Sequence, residues 1–156
     1  MFECFLEDEA ASQAFAGKLA SVCEKPLLVF FHGELGAGKT TIIRAWLRAL
    51  GVTGAIKSPT FSVVEPYEID SIQIYHFDLY RLEDPEELEY IGVRDYLASD
   101  AICLIEWPER GAGELPVADL SCHLNMKNHG RILKLIANTA KGETILGRLD
   151  KCGIDA

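Results

Sequence analysis

The sequence predicts an α/β protein of three layers, with a mostly parallel central sheet and antiparallel additions from hairpins. Three observations carry this. Residues 27–41, Leu-Leu-Val-Phe-Phe-His-Gly-Glu-Leu-Gly-Ala-Gly-Lys-Thr-Thr, run from an apolar segment through a glycine-rich bend into a helical pattern. A second apolar run, Ala101-Ile102-Cys103-Leu104-Ile105, ends at once in an acid, Glu106. Runs that are apolar at every position suit strands buried on both faces, as parallel strands are. Alternating segments separated by turn residues then supply the hairpins.

Taken in order, residues 2–6 alternate weakly and read as an edge strand. Glu7 or Asp8 opens a helix whose Ala11, Phe15, Leu19 and Val22 share one face. Glu9, in its acidic start, either caps the helix as a solvated charge or touches a nucleotide. Pro26 separates this helix from the strand at 27–32. After the glycine bend, Ile42, Ile43, Trp46, Leu47 and Leu50 form one apolar stripe, and Gly51 is a stop. Ser58-Pro59 excludes a helix, and Phe61, Val63 and Tyr67 suggest an extended segment. Ile69-Asp70-Ser71-Ile72 reads as a hairpin turn, with Ile72, Ile74, Tyr75 and Phe77 on the returning strand. That strand ends at Asp78. Asp84 is the expected N-cap of the next helix, with Pro85 at N1 and Glu87 placed for a capping box. Gly92 interrupts, and a short helix runs through Tyr96. After Glu106, Pro108 and the Gly111/Gly113 pair suggest a flexible loop. Residues 119–125 and 131–137 alternate as two strands around Met126-Lys127-Asn128-His129-Gly130, and 141–149 read as a closing helix.

Composition narrows the class. A chain of 156 residues with 49% hydrophobic content can build one core, so a single domain over 1–156 is expected. No apolar run approaches membrane-spanning length. The N-terminal stretch lacks the basic flank and apolar core of a signal peptide. Five cysteines without a C-x-x-C pair suggest reduced thiols and a cytoplasmic location. A net charge of −9 argues against extensive contact with a nucleic-acid backbone, although a local basic patch or a role through partners is compatible with it.

The chemistry is concentrated at 33–40, where Gly-Glu-Leu-Gly-Ala-Gly-Lys-Thr meets G-x-x-x-x-G-K-[ST] at every fixed position. Strand, glycine loop and helix are the context a phosphate-binding loop requires. Glycines let the backbone wrap an anion with its N–H groups inward, and the helix adds its positive dipole end. The Lys39 ammonium is suited to the β- and γ-phosphates, and the Thr40 hydroxyl to Mg²⁺. An apolar strand ending in Glu106 matches the second nucleotide motif, whose carboxylate holds Mg²⁺ directly or through water. Asp78 also ends a strand, where an active-site acid belongs in an open α/β sheet. Thr60 lies on a loop after the first P-loop helix, either as a γ-phosphate switch or as an ordinary turn residue. His32, His76, His123 and His129 show no ligand spacing and read as core, strand or turn residues.

Four blocks together resemble the bacterial TsaE family. They are Gly-Glu-Leu-Gly-Ala-Gly-Lys-Thr-Thr at 33–41, Lys-Ser-Pro-Thr-Phe at 57–61, Tyr-His-Phe-Asp-Leu-Tyr-Arg-Leu at 75–82 and Leu-Ile-Glu-Trp-Pro-Glu at 104–109. The resemblance implies a small P-loop ATPase needed to make threonylcarbamoyladenosine in tRNA. It implies that ATP binding and hydrolysis support repeated turnover of the transferase subunits TsaD and TsaB, with weak activity in their absence. Carried onto this chain, Glu34, Leu35, Gly36, Ala37, Gly38, Lys39, Thr40 and Thr41 form the phosphate cradle. Thr40 and Glu106 hold Mg²⁺, Thr60 is the switch threonine, Asp78 lies near the γ-phosphate or metal, and Trp107 is near the site. An arginine on the last hairpin corresponds to Arg131. Glu34 departs from the family's frequent Asp. Either Asp78 or Thr60 orients the attacking water, and direct tRNA contact is left open.

Three other readings compete. A small-molecule kinase usually carries an arginine-rich lid, whereas the arginines here are few and scattered. A GTPase switch suits Thr60, but no Asn-Lys-x-Asp guanine motif is present. A nucleotide-gated binding module, with hydrolysis incidental, overlaps with the family reading.

Overall fold

A computed structural model describes residues 1–151. Its strands are β1 (Phe2–Leu6), β2 (Leu27–His32), β3 (Val64–Ile69), β4 (Ile72–Asp78), β5 (Ala101–Glu106), β6 (Leu120–Lys127) and β7 (Gly130–Ala137). Its helices are α1 (Glu9–Val22), α2 (Lys39–Leu50), α3 (Glu87–Ile91), α4 (Val93–Ala98) and α5 (Ala140–Lys151), with a short 3₁₀ turn at Pro108–Gly111. The strands form one sheet in the order β1-β7-β6-β2-β5-β4-β3. β6, β2, β5 and β4 are parallel. β7 and β1 extend one side antiparallel, and β3 extends the other.

The expected three-layer fold, a P-loop arrangement, follows from how side chains sort across the sheet. Successive residues of a strand point to opposite faces. On β5, Ile102 and Leu104 join the core under α1, α2 and α5. Ala101, Cys103 and Ile105 join the opposite core, with Leu88 of α3 and Val93 of α4. All six β5 residues are buried, which is why the strand reads as an unbroken apolar run. β2 divides in the same way, placing Val29 and Phe31 on the α2 side, where Phe31 meets the fully buried Trp46 edge-on.

Local signals set several boundaries. Asp8 caps α1, its carboxylate accepting from the Ala11 amide at 2.8 Å. Gly51 ends α2 in a left-handed conformation, φ 112°, its amide bonded to the Arg48 carbonyl. Asp70 and Ser71, at φ 47° and 69°, make the two-residue β3–β4 turn.

Elsewhere the structure differs from the sequence reading. The extended segment begins only at Val64; residues 59–63 form turns, and Val63 sits at φ 71°. α3 starts at Glu87, later than Asp84-Pro85 implied, because the Asp84 carboxylate accepts from the Glu86 amide and builds a turn ahead of the helix. Among the described residues, no side chain caps α3. The expected loop after Glu106 contains a 3₁₀ turn with buried Pro108 and Gly111; a Cβ on Gly111 would stand 2.7 Å from Leu88. The last hairpin pairs Lys127 with Gly130, so its turn is Asn128-His129 alone. α5 begins at Ala140 and extends beyond the expected 141–149. Cys4, Cys23, Cys103 and Cys122 are free thiols, and Cys152 lies outside the described residues.

Candidate functional site

The glycine bend joins the C-terminal end of β2 to the N-terminus of α2, a helix of 12 residues. Close approach dictates its glycines. A Cβ on Gly33 would stand 2.7 Å from the Leu124 carbonyl oxygen of β6. Gly38 is left-handed at φ 104°, and a Cβ there would collide with the Arg131 guanidinium. The bend is thus clamped against β6 and β7, with α2's first amides directed at the cleft. Lys39 opens the helix and is 5% exposed. Its Nζ donates to the Gly33 and Glu34 carbonyls and lies 4.0 Å over the Trp107 ring. Burial lowers the Lys39 ammonium below the ordinary lysine range, with Glu106, Glu109, Asp78 and Glu34 acting the other way.

The ends of β4 and β5 supply the opposing wall. Parallel register sets Asp78 beside Glu106. Thr40 Oγ1 donates to Glu106 Oε1 at 3.0 Å, closing a contact between residues 66 apart in sequence. Glu106 is 2% exposed, and its other oxygen lies 2.7 Å from His76 Nε2. Asp78 Oδ1 accepts from the Tyr80 amide at 3.0 Å, and Thr60 Oγ1 reaches Asp78 Oδ2 at 3.5 Å, the outer limit of a hydrogen bond. Burial pushes the Asp78 carboxyl above its ordinary range; the Tyr80 amide opposes this, and Glu106 adds to it. Trp107 follows at φ 57°, a left-handed conformation costing about 1–2 kcal/mol for a non-glycine residue. The strain turns its ring back over Lys39, between β5 and the 3₁₀ turn.

These groups enclose a cleft of about 270 Å³ lined by Leu35, Gly36, Ala37, Gly38, Lys39, Thr40, Thr41, Thr60, Asp78, Glu106, Trp107 and Arg131. Amides, one ammonium and one guanidinium meet an oxygen-only set of Thr40, Asp78 and Glu106. Such a set is of the hard-oxygen type that could hold a cation such as Mg²⁺, and Thr40 and Glu106 are the pair in direct contact. Among the described residues, no group of three or more His, Cys, Asp and Glu is arranged to hold a metal by itself. Two of the sequence candidates stand apart from this cleft. Glu34 contributes its carbonyl to Lys39 and does not line the cleft. Glu9 lines an adjoining groove of about 550 Å³ with Gln13, Thr41, Arg44 and Arg48, between α1 and α2. Thr41 borders both spaces.

Sequence reasoning missed the histidines' partners. His76 has no motif spacing to Glu106, yet is bonded to it. His32 and His123 stack at 4.4 Å across β2 and β6, and His32 faces Glu109 at 3.6 Å. Only a signal linking adjacent parallel strands would have found either pair.

A family model described as "Threonylcarbamoyl adenosine biosynthesis protein TsaE" matches residues 6–133. The chain belongs to the TsaE family. It is 46% identical over 147 residues to the tRNA threonylcarbamoyladenosine biosynthesis protein TsaE of Haemophilus influenzae, covering 91% of this chain and 93% of that one. The protein of the same name from Synechocystis is 38% identical over 112 residues, covering 69% and 71%. The crystal structure of Bacillus subtilis YdiB superposes with a TM-score of 0.82 over 98% of this chain and 96% of that one, at 23% identity, a likeness of fold. Membership of the TsaE family ties the chain to threonylcarbamoyladenosine biosynthesis.

Proposed function

We propose that this TsaE-family chain binds and hydrolyses Mg²⁺-ATP to support repeated turnover of the TsaD–TsaB threonylcarbamoyl transferase complex. The observation that carries the reading is the Thr40–Glu106 contact at 3.0 Å beneath a glycine bend that starts a helix. A hydroxyl and a carboxylate from distant segments converge where the motif requires a cation's protein oxygens. The groove holding Glu9 and Arg44 supports a nucleoside moiety beside the phosphates, since it adjoins the cleft at Thr41.

In this mechanism the bend's amides and Lys39 bind the β- and γ-phosphates, with Lys39 leaving its loop carbonyls as the polyanion enters. Thr40 and Glu106 would hold Mg²⁺, which would supply charge neutralisation to the bound phosphates. Arg131, packed on Gly38, adds positive charge at the bend. Trp107 covers Lys39 and limits water around its ammonium. Asp78, buried and bonded to Tyr80 and Thr60, is placed to accept a hydrogen bond from an attacking water, and the Thr60 hydroxyl is the alternative. The protein is expected to act in the cytoplasm, and no helix among the described residues is long and apolar enough to cross a membrane.

Lys39→Ala tests the site. It should abolish phosphate release from ATP and weaken nucleotide binding in calorimetry. Hydrolysis at the parent rate would refute the assignment. Reconstituted tRNA modification under many-turnover conditions tests the role: product should stop near one equivalent of transferase without this chain.

A further inference from the structure

His76 is fully buried, yet its hydrogen bond runs into the phosphate cleft. It pairs with Leu104 in the parallel register, two positions before the Asp78–Glu106 pair, so its ring lies diagonally behind the Glu106 carboxylate on the α2 side of the sheet. The two oxygens of Glu106 are divided between different neighbours. Oε2 lies 2.7 Å from His76 Nε2, and Oε1 accepts from Thr40 at 3.0 Å. The other ring nitrogen, Nδ1, is buried and has no hydrogen-bond partner among the described residues. A buried N–H with no acceptor costs more than an unused lone pair, so the proton belongs on Nε2, donating to Glu106.

A glutamate has several rotatable bonds, and a carboxylate held at one oxygen alone can swing away from the groups it serves. Partners behind the ligating residues commonly fix this orientation in metal sites. We propose that His76 is a positioning residue: its Nε2–H pins Glu106 Oε2, so that Oε1 stays presented, with the Thr40 hydroxyl, to a divalent cation. This rests on the reading that Thr40 and Glu106 hold Mg²⁺. His76 itself does not line the cleft and acts through Glu106.

The test uses the full chain with His76→Leu, His76→Asn and His76→Gln. The glutamine amide extends to about the position of Nε2, whereas the asparagine amide stops near Nδ1. ATP affinity in chelator should match the parent in all three. The Mg²⁺ concentration giving half-maximal tightening of ATP binding should rise about tenfold or more in the Leu and Asn variants, and His76→Gln should return to within about threefold of the parent. A general loss of structure would move the chelator affinity as well, and would not be rescued selectively by Gln. Parent-like Mg²⁺ midpoints in the folded Leu and Asn variants, or a Gln variant as impaired as Leu, would overturn the proposal. If His76→Leu does not fold, the Asn–Gln comparison decides. A parent protein whose ATP binding ignores Mg²⁺ counts against the proposed function alone. The positioning role is then read from a ligand-free crystal structure of His76→Asn. Glu106 turned from Thr40 supports it, and an unmoved Glu106 overturns it.

Discussion

Asp78 is the residue whose proposed chemistry and whose stability pull in opposite directions. Its carboxyl is raised by burial, so between pH 3.8 and its folded value the native state keeps a proton that the unfolded chain releases. Stability therefore falls as pH rises through that window, and the cost of an ionised buried carboxylate is carried in full above it. Asp78→Asn keeps an oxygen for the Tyr80 amide and removes the charge. We expect it to raise the thermal midpoint at pH 7, with the gain vanishing toward pH 3, while ATP hydrolysis falls by about 10²-fold or more. A midpoint lower than the parent's at pH 7 would show that the burial cost has been overstated. Lys39 carries the converse burden, its ammonium lowered by burial while four carboxylates favour its charge. In the proposed function, a polyanion in the bend would supply the counter-charge that loop carbonyls provide only as dipoles.

Among the elements, the turns separate local instruction from strain. Gly51 and Gly92 occupy left-handed positions at helix ends, as their sequence context suggests. Ser71 occupies one without being glycine, at φ 69°, in the exposed β3–β4 turn. Left-handed geometry costs a non-glycine residue about 1–2 kcal/mol. A glycine there adds about 0.5–1 kcal/mol of unfolded-chain entropy. The first effect is larger, so Ser71→Gly should stabilise by roughly 0.5–1 kcal/mol, read as a midpoint rise of about 1–4 °C. No change, or a fall, would mean that the turn relaxes in solution to a geometry serine accepts. Val63 is the strained counterpart beside the cleft: at φ 71° it donates to Pro59 and accepts from Asp78, tying the Thr60 loop to the end of β4. That tie explains why the segment 59–63 is not extended, although its residue types favour a strand.

For the whole molecule, acid sensitivity follows from histidines shared between strands. Burial lowers His32 below 6.5, and the neighbouring His123 and Lys39 lower it further against the pull of Glu109. His123 is lowered by burial and by Lys134, again opposed by Glu109. Depressed histidines bind fewer protons folded than unfolded, so stability is full above about pH 6.5 and is lost as pH falls toward the folded values. Urea midpoints should decline between pH 7 and pH 5.5, and His123→Phe, which keeps a ring against His32, should flatten that decline. An unchanged slope would place the acid-labile groups elsewhere. What depends on near neighbours could be read from the sequence: the β2–bend–α2 unit, the apolar run of β5 ending in Glu106, a start of α1 at Glu7 or Asp8, and the Asp70-Ser71 turn. Periodicity and turn chemistry act over a few residues, and motif spacing constrains one loop, so these are written locally. Only the tertiary structure decided that β2 lies between β5 and β6, that Thr40 meets Glu106, that Arg131 closes on Gly38 and that His76 stands behind the carboxylate. Those contacts join segments tens of residues apart, and strand order and register, which no local pattern encodes, bring them together.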